Sequence, residues 1–131
     1  MRQLLLQTWL LNELTPDEST ELLSLSSIAK LPTGTHLTEA GRRNDAICIV
    51  MEGEVVVQPS GFRLQSGDML GEMSWLDGQP ASATTVAGND AKVLLIPHAR
   101  MNDFVGRNPE AHIQILRKLA INLSLRLRAP K

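Results

Sequence analysis

The stretch GEMSWLDGQPASATTV, residues 71–86, decides how this chain is read. It places glycines, one acid and a run of small hydroxyl residues between segments that otherwise look like β-structure. Such a segment offers many backbone N–H groups and few bulky side chains, which suits an anion pocket. Yet no Lys or Arg occurs from Gly71 to Val86. The stretch is therefore either a working phosphate site or a disabled one.

On both sides of it the texture is β, from Thr35 to Pro97. Short runs rich in β-branched residues (HLTEAG, AICIVM, GEVVVQ, GFRLQS, ATTVA, KVLLIP) alternate with turn signals such as Pro59-Ser60-Gly61, Ser66-Gly67-Asp68 and Gly88-Asn89-Asp90. Six to eight short strands at this spacing predict a barrel or jelly roll. VMEGEVVV and VVQPSGFRL read as two hairpins in tandem. In AICIVM, Ile47, Ile49 and Met51 alternate with Cys48 and Val50, so both faces are apolar and the strand is central.

Helices flank this region. Leu4, Leu5, Leu6, Trp9, Leu10 and Leu14 fall mostly at helical spacing over the first dozen residues. Thr15-Pro16, with Glu18 three after the cap, announces a second helix with a capping box, buried through Leu22, Leu23 and Leu25 or Ser26. Pro32 and Gly34 end it. After Pro97 a short helix runs near Ala99–Val105, and Asn108-Pro109 caps a long one reaching about Arg128. Ile113, Leu116, Ala120, Leu123 and Leu127 recur along that helix at steps of three and four. Ile115 and Leu119 form a second stripe on a neighbouring face. Two stripes call for two partners, the domain itself and the same helix of a second subunit, whereas one wide core-facing stripe is the simpler alternative. The division that follows is a single domain over 1–131, with N-terminal helices in 1–31, a β-roll in 35–97 that holds the 67–86 segment, and C-terminal helices in 99–128.

Composition narrows the function classes. The 131 residues are 43% hydrophobic and 21% charged, with 13 basic against 14 acidic residues for a net charge of −1. That balance supplies no basic field for nucleic acid, and four aromatics (Trp9, Phe62, Trp75, Phe104) are too few for a base-stacking platform. The single Cys48 cannot form an internal disulfide, which fits a cytoplasmic protein. No run approaches a membrane span, and the broken N-terminal apolar run reads as an amphipathic helix rather than a signal peptide. His36, His98 and His112 lack metal-ligand spacing. No nucleophile elbow, GxGxxG or Walker loop is present, so no catalytic residue is assigned.

The order helix, β-roll with a small helical insert, long helix resembles the cyclic-nucleotide-binding domain, the sensor part of catabolite-activator-type regulators, cyclic-nucleotide-dependent kinases and gated channels. The resemblance covers about Leu14 to Arg128. It is carried by GRRNDAICIVMEGEVVV (41–57) and by SGDMLGEMSWLDGQPASATTV (66–86), which is similar to the family's phosphate-binding cassette. It implies a jelly roll and a ligand pocket at Gly71, Glu72, Met73, Ala81, Ser82 and Ala83. Glu72 matches the family's acceptor for the ribose 2′-hydroxyl, and backbone N–H groups at the start of the Glu72–Leu76 turn would face the phosphate. Where the family carries an arginine for that phosphate, this chain has Ala81, followed by Ser82 and Ala83.

A bidentate arginine makes two charge-assisted hydrogen bonds, so its loss removes ~3–5 kcal/mol, about 100- to several-thousand-fold in affinity. A micromolar site would become roughly millimolar unless Arg63 or Arg100 folds inward or a helix dipole alone holds the phosphate. The expectation is a non-enzymatic regulatory module with weak or no cyclic-nucleotide affinity and no other cofactor, dimeric through helix 109–128, whose last helix a partner protein or further domain reads. The cassette residues would otherwise survive as fold, with Trp75 and Leu76 plugging the barrel, or accept a less anionic ligand. Two alternatives are a genuine cAMP or cGMP sensor with a different phosphate anchor, and a cupin-like metal enzyme. Catabolite-activator-type regulators follow the long helix with a DNA-binding domain. The sequence stops at Lys131, so DNA binding is not carried over to this chain, read as either a free-standing sensor module or a piece of a larger protein; RLRAPK (126–131) reads like the start of a linker and favours neither. Arg117, Lys118, Arg126, Arg128 and Lys131 read as a solvated basic face that complements the helix dipole.

Overall fold

A computed structural model describes residues 1–129; Lys131 of the basic face and the end of RLRAPK lie outside them. The elements are α1 (Arg2–Gln7), α2 (Pro16–Ser24), β1 (Ser27–Leu31), β2 (His36–Thr38), β3 (Ala46–Glu52), β4 (Val55–Gln58), β5 (Phe62–Leu64), β6 (Met69–Leu70), α3 (Glu72–Asp77), β7 (Thr84–Ala87), β8 (Ala91–Pro97), α4 (His98–Arg107) and α5 (Pro109–Arg128). The strands form two four-stranded antiparallel sheets, ordered β1-β8-β3-β6 and β2-β7-β4-β5. Most successive strands change sheet, which is the jelly-roll arrangement expected.

The central strand behaves as its alternation requires. Cys48 and Val50 point into the space between the sheets with Val55, Ala87 and Val93. Ile47 and Ile49 point the other way, into a larger cluster with Leu5, Leu10, Leu22, Phe104, Ile115 and Leu119 from the helices. One strand thus serves two cores, and no polar residue in its centre would be tolerated. Burial pushes the Cys48 thiol up to about 12, so the side chain is an inert hydrophobe.

Four local expectations are corrected. The segment read as helix to residue 31 leaves α2 at Ser24, and Ser27–Leu31 pairs antiparallel with β8, Ser27 facing Leu95 and Leu31 facing Ala91. Ser26 Oγ donates to the Leu22 carbonyl at 2.7 Å, closing the helix, and the following SIAKL is too short to show which period it follows. The first helix stops at Gln7, because Thr8 Oγ1 donates to the Leu5 carbonyl and accepts from the Leu11 amide, competing with the helical ladder.

VMEGEVVV is not a hairpin. β3 pairs with β6 and β8, while β4 pairs with β5 and β7. Gly53 (φ 74°) turns the chain from one sheet to the other, packed so closely on the Asp90 carbonyl that no β-carbon fits. The second hairpin forms as read, with Val55 opposite Leu64 and Val57 opposite Phe62.

The capping box at α2 also forms as read. Thr15 Oγ1 accepts from the Glu18 amide at 3.1 Å and Glu18 Oε1 accepts from the Thr15 amide at 2.9 Å. Asn108 stands at the start of α5 but its side chain does not cap it. Its Nδ2 donates instead to the Phe104 carbonyl and to Glu21 Oε1, tying α4 and α5 to α2. These bonds, together with Arg107 at 2.9 Å from Glu21 Oε2, hold the Glu21 carboxyl below its ordinary range.

On α5 the stripe Ala111, Ile115, Leu119 is buried, whereas Ile113, Leu116, Ile121, Leu125 and Leu127 are exposed. The two-stripe reading therefore describes the helix, with the Ile115–Leu119 face taken by the domain. Burying one Ile or Leu on that face contributes about 1.5–3 kcal/mol. Among the described residues no helix is long and apolar enough to cross a membrane.

Candidate ligand pocket at the cassette

The pocket starts from a backbone turn. Gly71 has φ 89°, and an added β-carbon would overlap the Ala46 carbonyl oxygen and lie 2.8 Å from Asn44 Nδ2. Only glycine fits there, so α3 springs directly from the wall of β3. Its carbonyl accepts from the Trp75 amide at 3.1 Å and is met by His98 Nε2, also at 3.1 Å. With a carbonyl as partner, Nε2 carries the proton. Burial lowers the His98 pKa, and the Gly71 bond and nearby Asp45 only partly offset this, so the neutral ring is favoured.

Behind Gly71 lies a cavity of about 230 Å³. Gly71, Glu72, Met73, Ala81, Ser82 and Ala83 all line it, so the structure brings every proposed site residue to one place. Thr38, Asn44, Val57, Leu64 and Thr85 complete the walls. The return from cassette to β7 is fixed by backbone bonds, the Ala81 amide to the Arg42 carbonyl and the Gly41 amide to the Ala81 carbonyl, each 2.9 Å. Thr38 Oγ1 braces it further against Thr85 Oγ1 at 2.8 Å and the Ala83 carbonyl at 2.9 Å.

Glu72 is the chemically unusual group. It is 8% exposed, and its Oε2 has no hydrogen-bond partner. Burial raises its pKa, while a bond from its own backbone and the charge of Arg126 oppose the rise. A buried acceptor left unmade is unfavourable by about 1–3 kcal/mol, so this oxygen is poised for a donor such as a ligand hydroxyl.

Neither cation suggested from sequence serves the cavity. Arg63 bonds Glu54 at 2.9 Å on the β4–β5 hairpin, and Arg100 does not line the space. The cation that does is Arg126 on α5, which the sequence reading assigned to a solvated face. A signal for it existed. Arg126 stands seven residues, about two helical turns, beyond Leu119 on the buried stripe. Leu76, expected to plug the barrel, is exposed, while Trp75 is half-buried against the helical core. Trp75 Nε1 donates to Asn102 Oδ1 of α4 at 2.9 Å and its ring lies 6.5 Å from that of His112 on α5. Among the described residues no three of His, Cys, Asp and Glu are grouped to hold a metal.

Comparison with known proteins agrees with this geometry. The family model for the cyclic nucleotide-binding domain matches residues 28–108, more than half of the chain. A cyclic nucleotide-gated potassium channel of Mesorhizobium japonicum is 29% identical over 120 residues, covering 91% of this chain and 34% of the channel. A cAMP-dependent protein kinase regulatory subunit of Aspergillus fumigatus is 32% identical over 89 residues, covering 64% of this chain and 22% of that protein. The chain thus spans between about a fifth and about a third of the length of these curated relatives. Among solved structures, the N-terminal domain of a transcriptional regulator from Streptomyces coelicolor superposes with a TM-score of 0.82 at 27% identity, covering 94% of this chain and 92% of that one. The Thermus thermophilus catabolite activator protein gives 0.73 at 28% identity, covering 92% of this chain and 59% of that one. A matched profile across the β-roll and a cassette pocket built on Gly71 and Glu72 lead to one conclusion: this chain belongs to the cyclic nucleotide-binding domain family.

Proposed function

We propose that this chain is a non-enzymatic regulatory module whose cassette pocket takes a cyclic nucleotide weakly, because Ala81 stands where the family carries its phosphate-binding arginine. The observation that carries the reading is the cavity behind Gly71, lined by Ala81, Ser82, Ala83 and Glu72, the last with a buried Oε2 that has no hydrogen-bond partner. A ribose hydroxyl would satisfy that oxygen. Alanine gives a cyclic phosphate no charge, and the missing pair of charge-assisted bonds accounts for ~3–5 kcal/mol.

Occupancy would be reported through the contacts that join the cassette to the C-terminal helices. His98 and Asn102 of α4 hold Gly71 and Trp75, and Trp75 faces His112 of α5. A ligand that moves α3 shifts the equilibrium position of α4 and α5, for a second subunit, a partner protein or a further domain to read. The exposed apolar positions of α5, Ile113, Leu116 and Leu127, support a homodimer through that helix, and a cytoplasmic setting fits the buried free thiol. The test is calorimetric titration of cAMP and cGMP into the native chain and an Ala81→Arg variant. A native chain that binds weakly or not at all, with a variant at least 100-fold tighter, is the expected result. Micromolar binding by the native chain would overturn the weak-affinity reading, and silence in both would overturn the cyclic-nucleotide reading itself.

A further inference from the structure

We propose that Arg126, near the end of α5, is the phosphate-contacting residue of the cassette pocket, so that the anion is held by the output helix and not by the cassette. The inference rests on the cyclic-nucleotide reading above and deepens it. Arg126 is the one cationic side chain among the residues lining the cavity, and it shares that cavity with Glu72, Ala81, Ser82 and Ala83. Among the described residues its guanidinium enters no ion pair, whereas Arg42, Arg43, Arg63 and Arg107 each have a carboxylate partner. Its charge reaches the buried Glu72 carboxylate without a salt bridge to it. The fork is therefore available to a ligand anion.

Helix geometry explains the placement. Ala111, Ile115 and Leu119 clamp one face of α5 to the core, and the same face two turns on carries Arg126. No local motif is needed, because the stripe that packs the helix also aims the guanidinium. The arrangement has a consequence that a cassette arginine lacks. An anion in the pocket pulls directly on the last turn of α5, so binding and helix position are one equilibrium. In turn, whatever holds α5 elsewhere weakens the ligand by the same factor.

The test is a two-dimensional NMR titration, which reads millimolar affinities, of cAMP and of adenosine into the native chain, Arg126→Ala, Ala81→Arg and the double variant. Arg126 is exposed, so its removal leaves the fold intact. The expected result is a loss of about 10- to 100-fold in cAMP affinity for Arg126→Ala, the worth of one charged hydrogen-bonding group. Adenosine, which has no phosphate, is expected to bind both chains alike. Hydrogen exchange adds a readout of the helix: cAMP slows exchange of the amides of residues 122–128 in the native chain and leaves them unchanged in Arg126→Ala. Equal cAMP affinity with and without Arg126, whether in the native or the Ala81→Arg background, would overturn this inference and leave the module reading standing. No binding by the native chain or by Ala81→Arg would overturn both.

Discussion

Gly71→Ala and Gly78→Ala bracket the cassette helix and separate two physical effects. Both glycines are left-handed, at φ 89° and φ 70°. A non-glycine residue there is disfavoured by about 1–2 kcal/mol from its own backbone. At Gly78 nothing lies within 4 Å of a built β-carbon, so this is the whole effect. At Gly71 the β-carbon would run into the Ala46 carbonyl oxygen, a backbone atom anchored in the central strand. Relieving that overlap means shifting α3 away from β3, which adds about 1–3 kcal/mol as overpacking and disturbs the Gly71–His98 bond.

The expected losses are therefore ~2–5 kcal/mol for Gly71→Ala against ~1–2 kcal/mol for Gly78→Ala. With a urea slope of about 1–3 kcal/mol per molar for small proteins, the two midpoints should differ by roughly 1 M. Equilibrium urea unfolding followed by Trp fluorescence reads this directly. Equal midpoints would refute the reasoning, since only contact with β3 distinguishes the sites.

Two further outcomes follow from burial. Glu72 has a raised pKa in the fold, so the folded state binds more protons than the unfolded chain between the ordinary carboxylate value and the raised one. Its burial therefore penalises stability above the folded pKa, and the penalty disappears as pH falls below the unfolded value. Glu72→Gln should consequently gain stability over the native chain at pH 7.5 and lose that advantage at pH 4; a pH-independent difference in thermal midpoint would sink the assignment. On α5, Leu119→Ala should lose about 2–5 kcal/mol as a core truncation, while Ile113→Ser should change monomer unfolding by less than about 0.5 kcal/mol. If α5 pairs two copies, Ile113→Ser also lowers the weight-average mass in sedimentation at high protein concentration, and an unchanged mass would count against dimerisation through that face.

Much of the architecture was legible because its signals are local. Thr15-Pro16-Asp17-Glu18 contains both halves of its capping box within four residues. The two apolar faces of AICIVM state that the strand is buried on both sides. The glycine and acid of the cassette announce a turn and a pocket because only a glycine meets that backbone and few side chains accompany it. What failed was pairing. VMEGEVVV looks like a hairpin because local alternation does not say whether the next strand continues in the same sheet; the contact of Gly53 with the Asp90 backbone, far along the chain, decides that it does not. SIAKL joined β8 for the same reason, a ladder whose other half lies sixty or more residues away.

The division is sharpest at the pocket. By itself the sequence pointed to the family and put Gly71, Glu72 and Ala81 within one short stretch between two strands, since each of these is a matter of residue type at a local position. Only the tertiary structure decided which positive charge meets the cavity. Arg63 and Arg100 were as plausible as any along the chain, but one is spent on Glu54 and the other lies off the cavity. Arg126 lies about fifty residues from Glu72 and is brought beside it because α5 packs its Ala111–Ile115–Leu119 face on the core. Electrostatic partnership depends on distance in space, which a chain sets through its packing, and no spacing in the sequence encodes it.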